Sequence, residues 1–229
     1  MNLIDDFLSL FFPRTCFACG NNLFKGERVI CTSCLFHLPK TNFHKDNNNP
    51  VKKVFWGRVK IESAAAYFFY RKGGKVQQLI HQMKYRGQKE IGIFLGESYG
   101  IELNNAPGFS EIDKIIPIPL HHKKLKKRGF NQAELFAIGL AKTMNKEVDT
   151  TSVVRNVATS TQTKKTRYKR WENVSDIFVI KEIESLKGKN VLIVDDVITT
   201  GATMEACVQC LQKVPEIKIS VASIAFASG

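Results

Sequence analysis

Residues 191–203 read VLIVDDVITTGAT. The first four, Val191-Leu192-Ile193-Val194, form a short apolar run of the kind that fills a buried strand. The run stops at two adjacent carboxylates, Asp195 and Asp196. A hydroxyl-rich glycine turn follows, Thr199-Thr200-Gly201-Ala202-Thr203, and then a helical pattern begins. An ordinary buried strand and turn does not account for the two acids, because adjacent carboxylates are costly unless a ligand, cation or solvent compensates them. Together the pieces suit a phosphorylated sugar. Loop N–H groups, threonine hydroxyls and a helix N-terminus all present positive partial charge to a phosphate. Carboxylates accept hydrogen bonds from sugar hydroxyls, and ligands of parallel α/β sheets collect at such strand ends.

At every position the stretch is similar to the phosphoribosyl pyrophosphate (PRPP) signature of type I phosphoribosyltransferases: four apolar residues, two acids, two apolar residues, then Thr-Thr-Gly-x-Thr. A lone glycine loop would say little; fixed chemistry along the whole stretch is specific.

The 229 residues allow one sizeable α/β domain and a small module, and the 44% apolar share is ample for a core. No apolar run approaches the ~20 residues of a membrane span. The opening MNLIDDFLSLFF is apolar, but Asp5 and Asp6 stand where a secretion signal carries positive charge, and Pro13 ends it. Its helical spacing predicts a short amphipathic helix packed on the protein itself, with a weak membrane contact as the alternative. The net charge of +13, from 34 basic and 21 acidic residues, suits phosphate-rich partners or simply a solvated surface.

Cys16-x-x-Cys19 and Cys31-x-x-Cys34 are two knuckles with eleven residues between them. Four thiolates at this spacing close on one structural zinc ion and leave no open coordination position. Disulfides are the rival reading; the paired spacing and the missing secretion signal favour thiolates in a reducing cytoplasm. Zinc here acts as a staple, since so short a segment buries little apolar surface alone. His37 and His44 are bystanders to a four-sulfur site. Cys207 and Cys210 fall on a helical packing pattern and read as core residues, not as a redox pair.

Residues 1–40 thus form an N-terminal helix and zinc module, the polar and basic stretch 41–60 reads as a linker, and 61–229 as the main domain. Within the latter, SAAAYFFY (63–70) reads as a strand, and helices follow over Val76–Met83 and Ile91–Leu103. A strand at Ile112–Ile116 leads through Pro117-Ile118-Pro119-Leu120 into the basic run HHKKLKKRGFNQAE, where Asn131 is placed to cap a helix. Strands near Ile177–Ile180 and Ile219–Phe226 flank the PRPP strand and its helix. Strands alternating with helices predict a mostly parallel sheet covered on both faces.

The whole order resembles the ComF family of competence-related, phosphoribosyltransferase-like proteins. The resemblance rests on the four-cysteine knuckles, Lys84-Tyr85-Arg86-Gly87, Pro117-Ile118-Pro119-Leu120, Arg128-Gly129-Phe130-Asn131-Gln132, the basic segment with Gln162 and Arg170, and the PRPP motif. It implies a type I phosphoribosyltransferase fold preceded by a four-cysteine zinc ribbon, and a cytoplasmic role in natural transformation on incoming single-stranded DNA, with competence proteins as possible partners. It further implies that Asp195 and Asp196 hold the ribose hydroxyls and orient a magnesium ion through them. Thr199, Thr200, Gly201, Ala202 and Thr203 would bind the 5′-phosphate, and Pro119, Leu120 and His121 would form the pyrophosphate loop, with either Pro117 or Pro119 able to supply a cis bond. Ala158–Trp171 resembles the mobile flap of these enzymes, with Arg170 and Lys165 as its catalytic cations; a solvated basic loop is the alternative.

Two functions use these residues differently. One is a PRPP-binding module for single-stranded DNA, in which Lys123, Lys124, Lys126, Lys127, Arg128 and Arg167 attract the backbone and Tyr168 stacks on bases. The other is a phosphoribosyltransferase that passes ribose 5-phosphate from PRPP to a base or amine and releases pyrophosphate. No segment reads as a base-specificity hood.

Overall fold

The computed structural model describes residues 13–155 and 177–227. The expected N-terminal helix and the flap with Lys165, Arg167, Tyr168 and Arg170 lie outside them.

Five parallel strands form the central sheet in the order β1-β7-β6-β2-β3: β1 (Ala64–Phe69), β2 (Lys114–Pro117), β3 (Glu147–Val148), β6 (Asn190–Ile198) and β7 (Lys218–Phe226). Side chains of β6 alternate between two hydrophobic clusters, Leu192 and Val194 in one, Val191 and Ile193 in the other. That division places β6 at the centre of a sheet covered on both faces. The helices between the strands are α3 (Lys75–Tyr85), α4 (Glu90–Asn104), α6 (Gln132–Met144) and α7 (Ala202–Leu211). The sequence predicts all four, and Asn131 caps α6 as expected, its side chain accepting from the Ala133 N–H at 3.1 Å. Helices α4 and α6 approach closely at Gly96 and Gly139, where a Cβ on either would lie 2.8 Å from the other's Cα.

A second, antiparallel pair joins β4 (Val153–Arg155) to β5 (Phe178–Ile180), which brings the two ends of segment 156–176 together. The basic run folds as a separate helix, α5 (His122–Arg128), with no buried residue. Every peptide bond among the described residues is trans, so the loop after β2 holds no cis proline. Among the described residues, no helix is long and apolar enough to cross a membrane.

The N-terminal cysteines do not sit on an isolated module. Cys16, Ala18, Val29 and Ile30 share one core cluster with Val76, Leu79, Ile80 and Met83 of α3. The Gln82 amide donates to the Phe17 carbonyl at 2.7 Å, and Arg28 pairs with Glu97 at 3.0 Å. Residues 41–60, polar in composition, also carry packed structure. A 3₁₀ turn spans Phe43–Lys45; helix α1 (Thr32–His37) precedes it and α2 (Pro50–Lys53) follows. Asn49 caps α2, and its amide donates to the carbonyls of Phe43, Asp46 and Ala64. Val51 and Phe55 are fully buried. The asparagine run that reads as a chain breaker is therefore satisfied by backbone partners, and two apolar residues anchor the segment.

Candidate functional site: an acid pair and a phosphate-sized loop

The C-terminal end of β6 holds the acid pair, and the loop after it opens α7. Thr199 and Thr200 are exposed, and Gly201 adopts a left-handed conformation with φ of 74° at the helix N-cap. Glycine is required there twice over: by that φ, and because a Cβ would lie 2.7 Å from Val54 Cγ1 and 3.1 Å from the Phe55 ring. Residues 195 and 197–204 enclose a concavity of about 40 Å³. Hydroxyls, loop N–H groups and the positive end of α7 meet there, which suits a single phosphate.

The acids are not alone. Lys84, at the end of α3, places Nζ 2.8 Å from Asp196 Oδ2, and the Asp196 N–H donates to Asp195 Oδ1 at 2.7 Å. Burial, and then the neighbouring Asp196 charge, push the Asp195 carboxyl up to about 7, against the opposing pull of Lys84 and Arg155. Near neutrality Asp195 is thus about half protonated, and the lysine beside Asp196 is the pair's counter-charge, to be exchanged for a ligand's donors or a cation.

The sign of the resulting pH effect is fixed. A carboxyl whose folded pKa lies above its unfolded value stabilises the fold only while protonated, so stability falls as pH rises from about 4 to about 7. Asp195→Asn removes that penalty while keeping an acceptor for the Asp196 N–H. The variant is expected to melt above the parent chain at pH 8, by on the order of 2–3 kcal/mol, and level with it at pH 4. Thermal melts at the two pH values check this; a variant that is less stable at pH 8 contradicts it.

The neighbouring strand brings a second loop to the same edge. Ile118 N–H donates to the Val194 carbonyl at 2.9 Å, so Pro119, Leu120 and His121 lie beyond β2 next to the acid-bearing end of β6. His121 Nδ1 accepts from the Lys123 N–H at 3.2 Å and starts α5. Lys123, Lys124, Lys126 and Lys127 are exposed on that helix, and the Arg128 guanidinium lies 5.4 Å over the Tyr85 ring. A cavity of about 380 Å³ opens on the other side, lined by Tyr70, His81, Lys84, Tyr85, Val197 and Thr199 among others.

The four cysteine sulfurs lie within 4.8 Å of one another, and no disulfide forms. Cys19 and Cys31 Sγ are 3.8 Å apart, close to the edge of a tetrahedron with arms of ~2.3 Å. Backbone N–H groups of Ala18, Cys31 and Cys34 donate to sulfur, and Lys75 Nζ stands 3.3 Å from Cys34 Sγ. Such donors offset the charge of four thiolates, so the residues fit a zinc ion. His37 instead bonds the Ser33 carbonyl, and His44 is buried against Tyr99. Cys207 and Cys210 are buried core residues, with Cys210 Sγ donating to the Phe178 carbonyl.

Residues 128–227 match the phosphoribosyl transferase domain family. The Competence protein F of Haemophilus influenzae is 29% identical over 226 residues, covering 95% of this chain and 99% of that protein. Over nearly its whole length the chain is similar to competence proteins of the ComF family. Other similar proteins are the DNA utilization protein YhgH of Escherichia coli K12, 29% identical over 82% of the chain and 79% of that protein, and the Competence protein ComFC of Bacillus subtilis, 28% identical over 86% and 78%. Its parallel sheet with helices on both faces makes up a type I phosphoribosyltransferase fold. The adenine phosphoribosyltransferase of Saccharomyces cerevisiae superposes with a TM-score of 0.39 and 20% identity over 61% of this chain and 69% of that one, too low for its activity to transfer. Lys84, Arg155 and Arg58 were not assigned roles from sequence. Only the Lys84-Tyr85-Arg86-Gly87 motif carried a hint.

Proposed function

We propose that this ComF-family protein binds PRPP at the end of β6 and acts in the cytoplasm during natural competence, handling single-stranded DNA. The observation that carries the PRPP reading is the Thr199–Thr203 loop, its threonines exposed, beside the partly buried Asp195–Asp196 pair. Thr199, Thr200, Gly201, Ala202 and Thr203 hold the 5′-phosphate, Asp195 and Asp196 accept from the ribose hydroxyls, and Pro119, Leu120 and His121 face the pyrophosphate. Lys84 leaves Asp196 as the diol arrives. The Asp195 proton is released at that step, so binding strengthens as pH rises through about 7. Magnesium, oriented through the ribose-bound acids, neutralises pyrophosphate charge when bound. Cys16, Cys19, Cys31 and Cys34 hold a structural zinc.

For nucleic acid, the exposed lysines of α5 lie next to this site, and Lys53 stands 5.6 Å over the exposed Trp56 ring, a second cation–aromatic pair. Replacing Lys123, Lys124, Lys126 and Lys127 by Gln is expected to weaken oligonucleotide binding and to lower its log–log salt slope by about 2–3. An unchanged slope removes α5 from the interface. Transfer to a base or amine is the second reading, and one observation favours it: the cavity of about 380 Å³ lined by Tyr70, His81 and Tyr85 opens beside Thr199. Pyrophosphate release with a panel of bases separates the two.

A further inference from the structure

We propose that Arg58 is a positioning residue for the phosphate loop, acting from outside the ligand site. The proposal rests on the reading of residues 199–203 as a phosphate cradle. Arg58 comes from the stretch that composition marks as a linker, yet its guanidinium ties three elements together. Nη1 donates to the Val54 carbonyl and to the Thr200 carbonyl, each at 3.1 Å, while Nη2 pairs with the Glu205 carboxylate in the first turn of α7. Glu205 is held in turn by Gln209 Nε2 at 3.3 Å, and its own N–H donates to the Gly201 carbonyl.

Two consequences follow for an anion in the loop. In a trans peptide the C=O of Thr200 and the N–H of Gly201 point in opposite directions. Fixing the carbonyl on Arg58 therefore fixes the direction of the Gly201 N–H, away from the guanidinium. It also keeps a carbonyl oxygen, which repels phosphate, from turning inward. The second consequence is electrostatic. Glu205 puts a negative charge where α7 presents its positive end, and Arg58 cancels it, leaving the helix terminus attractive to an anion. Val54 and Phe55, packed against Gly201, hold the same loop from the same side. Segment 50–58 is thus the outer wall of the cradle, and Arg58 is its polar clasp.

The test compares the full chain with Arg58→Ala, Arg58→Lys and Glu205→Gln. Hydrogen exchange is read at the amides of 200–203 and, as a control, at Leu192–Val194. Calorimetry is run with ribose 5-phosphate and with inorganic pyrophosphate. Arg58→Ala is expected to speed exchange in the loop alone and to weaken ribose 5-phosphate about tenfold while leaving pyrophosphate unchanged. Arg58→Lys falls between, because a single ammonium nitrogen lacks the span of the planar guanidinium, whose Nη1 and Nη2 reach the carbonyls and the carboxylate separately. Glu205→Gln keeps the carbonyl clasp and protects the loop. Exchange at 200–203 equal to the parent, or raised in proportion across β6 and α7, overturns the positioning role. If the parent chain itself does not bind ribose 5-phosphate, the phosphate reading falls, and the exchange data alone decide whether Arg58 orders the loop.

Discussion

A chain carrying Cys31→Ser and Cys34→Ser is expected to lose its zinc and to melt roughly 10 °C below the parent protein. Two sulfurs cannot close a tetrahedral site, and without the metal the two knuckles are no longer held to each other. The effect should not stay local. Cys16, Ala18, Val29 and Ile30 pack in one cluster with α3, so unfolding the knuckles exposes Leu79, Ile80 and Met83 as well. Losing several such contacts costs on the order of 3–5 kcal/mol. Because Lys84, in the last turn of α3, reaches Asp196, the same variant should also bind PRPP more weakly. Metal content by atomic emission and a thermal melt check both halves. Retained zinc with an unaltered melting temperature contradicts the staple.

The double variant Asp195→Asn, Asp196→Asn is expected to abolish PRPP binding and to leave the fold intact. Each carboxylate that accepts from a ribose hydroxyl contributes about 1.5–3 kcal/mol as a charge-assisted bond. Losing both lowers affinity by at least a hundredfold. Folding is spared because the two substitutions act in opposite directions. Asp195→Asn removes a charge that burial disfavours, whereas Asp196→Asn leaves Lys84, itself partly exposed, to find solvent. Circular dichroism and a melt establish the fold, and calorimetry reads the ligand. Unchanged PRPP affinity sinks the ribose-binding role of the pair.

What could be read from the chain divides along the range of the interaction. The strand, acids, loop and helix of 190–211 are contiguous, so their chemistry is visible in one window; α7 forms where the pattern places it, while β6 does not stop at Val194 but runs on through the two acids to Ile198, still paired with β7. The four cysteines are similarly legible, because ligand spacing is a local property. The counter-charges of the site are not. Lys84 meets Asp196, and Arg58 meets Thr200 and Glu205, only after the sheet has closed; the Lys84-Tyr85-Arg86-Gly87 motif marks the lysine but names no partner, and nothing around Arg58 marks it at all. The stretch 41–60 misleads for a different reason. Its asparagines and lysines read as solvated chain, but Asn49 spends its amide on three backbone carbonyls, and Val51 and Phe55 are too few to make a period. The basic run 122–128 likewise lacks an apolar stripe, because α5 buries none of its residues.

The most direct measurement is a calorimetric titration of the purified chain with PRPP, with and without magnesium, beside the double-Asn variant. Saturable binding of one PRPP per chain, strengthened by magnesium and lost in the variant, is the expected result. No binding to the parent chain, or equal binding to the variant, would contradict a PRPP site at Asp195 and Asp196.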